Sequence, residues 1–156
     1  MLRQLEKLSL EADGRYATAA ELQFLKNYLA AADERISAYE KIRDAEEAII
    51  EQVDKQLRAQ NPHIFRKGNQ DYAAVCQRDR RSVLRLAAAA MLFADLDALR
   101  DGFLLWYRTI IKAFKDEKAA QATYQVLPMT VNQVLGSEAA PLMKPVLALT
   151  QSILAE

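Results

Sequence analysis

Four glycines and four prolines in 156 residues leave this chain few places to reverse direction. A strand-rich fold needs many tight turns, and tight turns draw heavily on those two residues. The chain is rich instead in Ala, Leu, Glu, Lys, Arg and Gln, all good helix formers. An all-α fold is expected. At this length the simplest organisation is one domain over residues 1–156, and such a chain buries a core without disulfide or metal staples.

Several function classes recede on charge and composition. Twenty-one basic residues balance twenty-one acidic ones, so no net charge points to nucleic acid or an anionic membrane. The longest apolar runs, 86–94 and 102–107, are too short to span a bilayer. The opening Met1-Leu2-Arg3-Gln4-Leu5-Glu6-Lys7 has no apolar stretch of the kind a signal peptide carries. A single cysteine fits a reducing, cytoplasmic compartment.

Apolar periodicity outlines the helices. Residues 2–10 form a short amphipathic segment with Leu2, Leu5 and Leu8 on one side, broken by Asp13-Gly14-Arg15-Tyr16. Thr18 and Glu21 have capping-box spacing ahead of a helix carrying Leu22, Leu25 and Leu29. This helix ends near Asp33 or bends into a longer one. Ile42, Ile49, Ile50, Val53 and Leu57 keep a helical period up to Asn61-Pro62, and residues 61–70 read as the one clear loop. Residues 71–93 read as a long helix with Val83, Leu84, Ala87, Ala90 and Met91 inward. Residues 97–115 form another, with Leu99, Phe103, Leu104, Tyr107, Ile110, Ile111 and Phe114 inward and Gly102 as a weak point. A helix over 117–135 should kink at Pro128, stop at Gly136-Ser137, and give way to a last helix with Pro141 in its first turn. Seven or eight helices of unequal length suit a globin-like packing of crossed helices rather than a four-helix bundle. Residues 1–33 look like an extension to a core over 34–156, and their apolar stripes need a partner surface.

Cys76 is the residue on which function turns. A lone thiol is a buried small side chain, a nucleophile, or an anchor for a covalently held group. Helical spacing places Tyr72, Cys76, Asp79, Arg80 and Val83 on one stripe. Arg78 points elsewhere, although its long side chain can sweep round the helix. The sole histidine, His63, lies in the Pro62 loop, and nothing marks it as a base for the thiol. No cluster of metal ligands stands out.

Cys76-Gln77-Arg78-Asp79, then Leu84-Arg85-Leu86, then Ala94-Asp95, resembles the Cys-x-Arg-Asp, Leu-Arg-Leu and Gly-Asp signature of phycobiliprotein subunits. Ala12-Asp13-Gly14-Arg15-Tyr16 with Glu21-Leu22 is similar to that family's opening motif, one residue shorter. Asn61-Pro62, Gly68-Asn69 and Trp106-Tyr107-Arg108-Thr109-Ile110 resemble further family stretches in the same order. The likeness runs from Leu10 to Leu154.

The resemblance implies a globin-like α fold with two extra N-terminal helices and no enzymatic activity. It implies light absorption and energy transfer in or around the phycobilisome, at the cytoplasmic surface of the thylakoid. The cofactor would be a linear tetrapyrrole (a bilin of the phycocyanobilin type) held by a thioether to Cys76. Arg78 would pair with a propionate, and Asp79 would accept hydrogen bonds from the inner pyrrole N–H groups. Arg80 and Tyr72 share the face and join the candidate site; Arg80 is a second propionate partner by face geometry. The partner would be a like or unlike subunit of the family, with Asp13, Arg15, Tyr16 and Arg85 at the interface and Asp13 paired across it with Arg85.

This chain also departs from the family pattern. Ser82 and Val83 replace an aromatic pair, so a less aromatic pocket is expected. Ala88-Ala89-Ala90 replaces Thr-Tyr-Gly, and Ile111-Lys112-Ala113-Phe114 replaces a Leu-Gly-Thr-Pro turn. These changes suggest a divergent member rather than a main antenna subunit. A pigment-free assembly or regulatory partner of phycobiliproteins is the alternative, against which the retained Cys76 and Asp79 argue. A thiol enzyme is a third reading, and it lacks a base.

Overall fold

The computed structural model describes residues 1–155. Two short helices open the chain, α1 (Leu2–Glu11) and α2 (Gln23–Ala30), followed by α3 (Ala32–Asp44) and α4 (Glu46–Gln60). A hairpin of two-residue strands, β1 (Arg66–Lys67) and β2 (Gln70–Asp71), leads into α5 (Ala73–Phe93). Then come α6 (Leu96–Leu99), a π-helical turn (Arg100–Leu104), α7 (Leu105–Ala113) and α8 (Glu117–Leu154). Among the described residues no helix is long and apolar enough to cross a membrane.

The periodic apolar residues make the core. Ile42, Ile49, Ile50, Val53 and Leu57 are buried, and so are all five residues expected to face inward from α5. α8 lies across α3, α4, α5 and α7 and supplies Leu127, Val131, Leu135, Met143, Val146 and Leu147. Each fully buried aliphatic of this kind stabilises the fold by roughly 1.5–3 kcal/mol. Two hydroxyls that enter the core are satisfied locally: Thr130 and Thr150 donate to the carbonyls of Val126 and Val146 one turn back.

The helix ends show how local chemistry sets the elements. Thr18 and Glu21 form the expected capping box: the Thr18 amide donates to the Glu21 carboxylate at 2.8 Å, and the Glu21 amide to the Thr18 hydroxyl at 3.3 Å. The helix proper nevertheless begins at Gln23, after a turn. It then bends at Ala31 (φ −107°, ψ 11°) into α3. At the end of α5, Ala94 is left-handed at φ 49°, a conformation better suited to glycine. The Tyr28 hydroxyl donates to the Leu92 carbonyl and Arg35 to the Met91 carbonyl, so α2 and α3 satisfy carbonyls that the last turn of α5 exposes.

Two expectations need correction. The loop over 61–70 holds a tight hairpin, because Gly68 takes φ 58° and lets β1 and β2 pair across Gly68-Asn69. Residues 97–115 are not one regular helix: the π-helical turn around Gly102 interrupts them, and Phe114, expected inward, is 64% exposed. The break expected at Gly136 is present (φ 70°, ψ −178°): two helices meet at a kink there within α8, and Pro141 and Pro145 lie in the second.

Candidate functional site

Cys76 lies four residues into α5, one turn after Tyr72, at the edge of a cleft of about 360 Å3. That volume lies within the range of small-molecule sites. The hairpin, the first two turns of α5, α7 and the start of α8 enclose it. α5 contributes Val75, Cys76, Arg78, Asp79 and Arg80; Lys67 comes from the hairpin, and Asp116 from the residue just before α8. The rings of Phe65, Tyr72, Tyr107, Phe114 and Tyr124 line the walls. The replacement of an aromatic pair by Ser82 and Val83 therefore does not make the cleft poor in aromatic residues. Val83 is core, and Ser82 turns back to donate to the Arg78 carbonyl.

Tyr72, Cys76, Arg78, Asp79 and Arg80, the five residues singled out from the sequence, all reach this cleft. Their states differ. Cys76 is half-buried. Burial pushes its thiol up to about 11, and the charges of Asp116 and Asp79 add to the effect. At neutral pH it is a thiol, not an activated nucleophile. Asp79 is half-buried and accepts two hydrogen bonds from Arg78, at 2.9 and 3.1 Å. Arg78 has thus swept round the helix to the rim, where its side chain is 72% exposed. Tyr72 donates its hydroxyl to Gln70 on the hairpin.

Arg80 stands apart. It is 2% exposed, ion-paired with Asp54 of α4, and its guanidinium carbon lies 4.9 Å from the centroid of the Phe65 ring. Burial lowers its pKa to about 10, which leaves it charged at neutral pH. As a receptor for a ligand carboxylate it would first have to give up Asp54. It reads better as a fixed cation beneath the wall of the cleft.

Sequence reasoning missed the opposite wall as a site. The hydroxyls of Tyr107 and Tyr124 are hydrogen-bonded to each other. Burial, with the negative charge of Asp79, raises Tyr107 to about 12, and burial raises Tyr124 well above the usual phenol value. Both phenols stay protonated. Lys67 forms an ion pair with Asp116 at 2.5 Å and also donates to the Phe114 carbonyl. Tyr107 lay within a motif already noted. The helix break before Glu117 was the only signal for Asp116, and nothing marked Lys67.

The residues named for an interface lie away from the cleft. Asp13, Arg15 and Tyr16 sit in the exposed turn after α1, and Tyr16 is 98% exposed. Arg15 pairs with Glu21 at 2.7 Å, and Arg85 makes a two-pronged pair with Glu46, both contacts 2.6 Å. A cross-subunit pair between Asp13 and Arg85 would have to share that guanidinium with Glu46.

Residues 8–154 match the family described as phycobilisome protein. The allophycocyanin alpha-B chain of Cyanophora paradoxa is 35% identical over 92 residues, covering 56% of this chain and 57% of that one. The allophycocyanin alpha chain of Arthrospira platensis is 23% identical over 139 residues, covering 85% and 86%. The C-phycocyanin beta chain of Porphyra purpurea is 29% identical over 119 residues, covering 72% and 69%. The chain thus spans little more than half the length of the alpha-B relative it matches.

Proposed function

Because this chain belongs to the phycobilisome protein family and has its all-α, globin-like fold, we propose that it carries a linear tetrapyrrole on Cys76 and serves light absorption and energy transfer in or around the phycobilisome. The observation that carries this reading is the cleft itself. A half-buried sulfur stands at its edge, a carboxylate lies one turn further on, and aromatic walls flank both. A thiol packed among aliphatics with no space beside it would have spoken against the reading.

The tetrapyrrole would supply the visible absorption, and the chain would anchor and shape it. Cys76 would hold the pigment through a thioether, formed by addition of its S–H across a carbon–carbon double bond with the proton going to the neighbouring carbon, so no oxidant would be consumed. Asp79 accepts hydrogen bonds from the pyrrole N–H groups and favours the protonated, charged pigment. Arg78, exposed at the rim, turns from Asp79 to a propionate. Tyr72, Tyr107 and Phe114 pack against the rings and restrict twisting, which limits loss of excitation by torsional motion. The role we propose is non-enzymatic.

For assembly, we propose residues 1–33 as the extension that meets a second subunit of the family, like or unlike, with the complex peripheral at the thylakoid surface. Leu10, Tyr16 and Leu29 of this extension expose apolar surface, at 74, 98 and 61%, as does Ile36 just after it, at 49%. Asp13, Arg15 and Arg85 would supply the polar rim. Co-expression with a bilin-synthesis pathway tests the pigment role. A visible absorption band, with zinc-enhanced fluorescence of the denatured protein, is expected. A colourless protein that still binds a phycobiliprotein subunit would favour the pigment-free assembly role.

A further inference from the structure

We infer that Lys67 is the residue that selects the ligand of this cleft: its ammonium takes a carboxylate of the incoming pigment in exchange for Asp116, so pigments with free carboxylates are preferred to their esters. The inference rests on the tetrapyrrole reading of the cleft and adds a residue to it.

Lys67 lies at the inner end of β1, next to Gly68, whose φ of 58° makes the hairpin turn. From there its side chain reaches the segment between α7 and α8, where it meets the Phe114 carbonyl and the Asp116 carboxylate. Its ammonium also lies 5.8 Å from the centroid of the Tyr72 ring. The lysine therefore bridges two walls of the cleft beside the sulfur, and it is close enough to Cys76 to favour the thiolate.

The bridge is of a kind that exchanges readily. The two side chains are 38 and 35% exposed, so water and salt screen the pair and weaken it. A ligand carboxylate offers the ammonium the same partner chemistry that Asp116 does. Arg80 does not compete for that role, being buried against Asp54. Asp116 is then the competitor of the ligand, and the two ends of one ion pair have opposite effects on binding. A purely structural strut would make them alike.

That difference is the test. The full-length protein is titrated with biliverdin and with biliverdin dimethyl ester, following the quenching of Trp106 and the pigment absorption, for wild type, Lys67→Met and Asp116→Asn. Wild type should bind the free acid more tightly than the ester. Lys67→Met should weaken free-acid binding about fivefold and leave the ester unchanged. Asp116→Asn should leave free-acid binding intact or strengthen it. Equal losses in the two variants, or no preference for the free acid in wild type, would overturn the selectivity role while leaving the pigment site standing. Failure of wild type to bind either pigment would instead overturn both.

Discussion

At the residue scale the account depends on how one thiol and one carboxylate divide the work. Cys76 is held up to about 11 by burial and by its two acidic neighbours, so the thiolate is scarce at pH 7. Uncatalysed attachment should then be slow and should rise about tenfold per pH unit until the thiol titrates near 11. A stopped-time assay of adduct formation between pH 7 and 10 checks this, and a flat profile would mean that the thiol is not the group being activated. Asp79 acts on the pigment's charge and not on its bond to sulfur. Asp79→Ala should therefore leave attachment largely intact and give a weaker, blue-shifted band. An unchanged spectrum would remove Asp79 from the site.

At the scale of elements, two backbone positions set helix boundaries. Gly136 takes φ 70° and ψ −178°, a region almost closed to other residues, although a Cβ there would meet nothing within 4 Å. Gly136→Ala should therefore cost roughly 1–3 kcal/mol through backbone strain alone, read as a lower midpoint in urea. Ala94 is the converse: Ala94→Gly should stabilise the end of α5 by a few tenths to about 1 kcal/mol. The helical periods of α3, α4 and α5 were legible because core residues recur every three or four positions, and Tyr72, Cys76, Asp79 and Arg80 were placed together by the same rule. What escaped was set by tertiary structure. No period within α5 tells that α4 would claim Arg80 through Asp54, or that the hairpin would carry Lys67 to Asp116. Phe114 is the C-cap just past the end of α7, which places it at the cleft rim and not in the core.

For the molecule as a whole, the first two helices are amphipathic, and the chain leaves much of their apolar surface in water. Tyr16, almost fully exposed after α1, is the natural anchor, since exposed tyrosines at the centre of interfaces often dominate binding. Tyr16→Asp should weaken association, with itself or with a phycobiliprotein subunit, by at least about tenfold in sedimentation velocity, with no change in pigment attachment.

The most direct measurement is peptide mass mapping of the protein co-expressed with bilin synthesis, in wild type and Cys76→Ser. Trypsin cuts after Lys67 and Arg78, so a single peptide spanning residues 68–78 contains the only cysteine. The account predicts that this peptide carries the mass of a linear tetrapyrrole and that the serine variant loses it. An unmodified peptide in wild type, or an adduct that survives in Cys76→Ser, would contradict it.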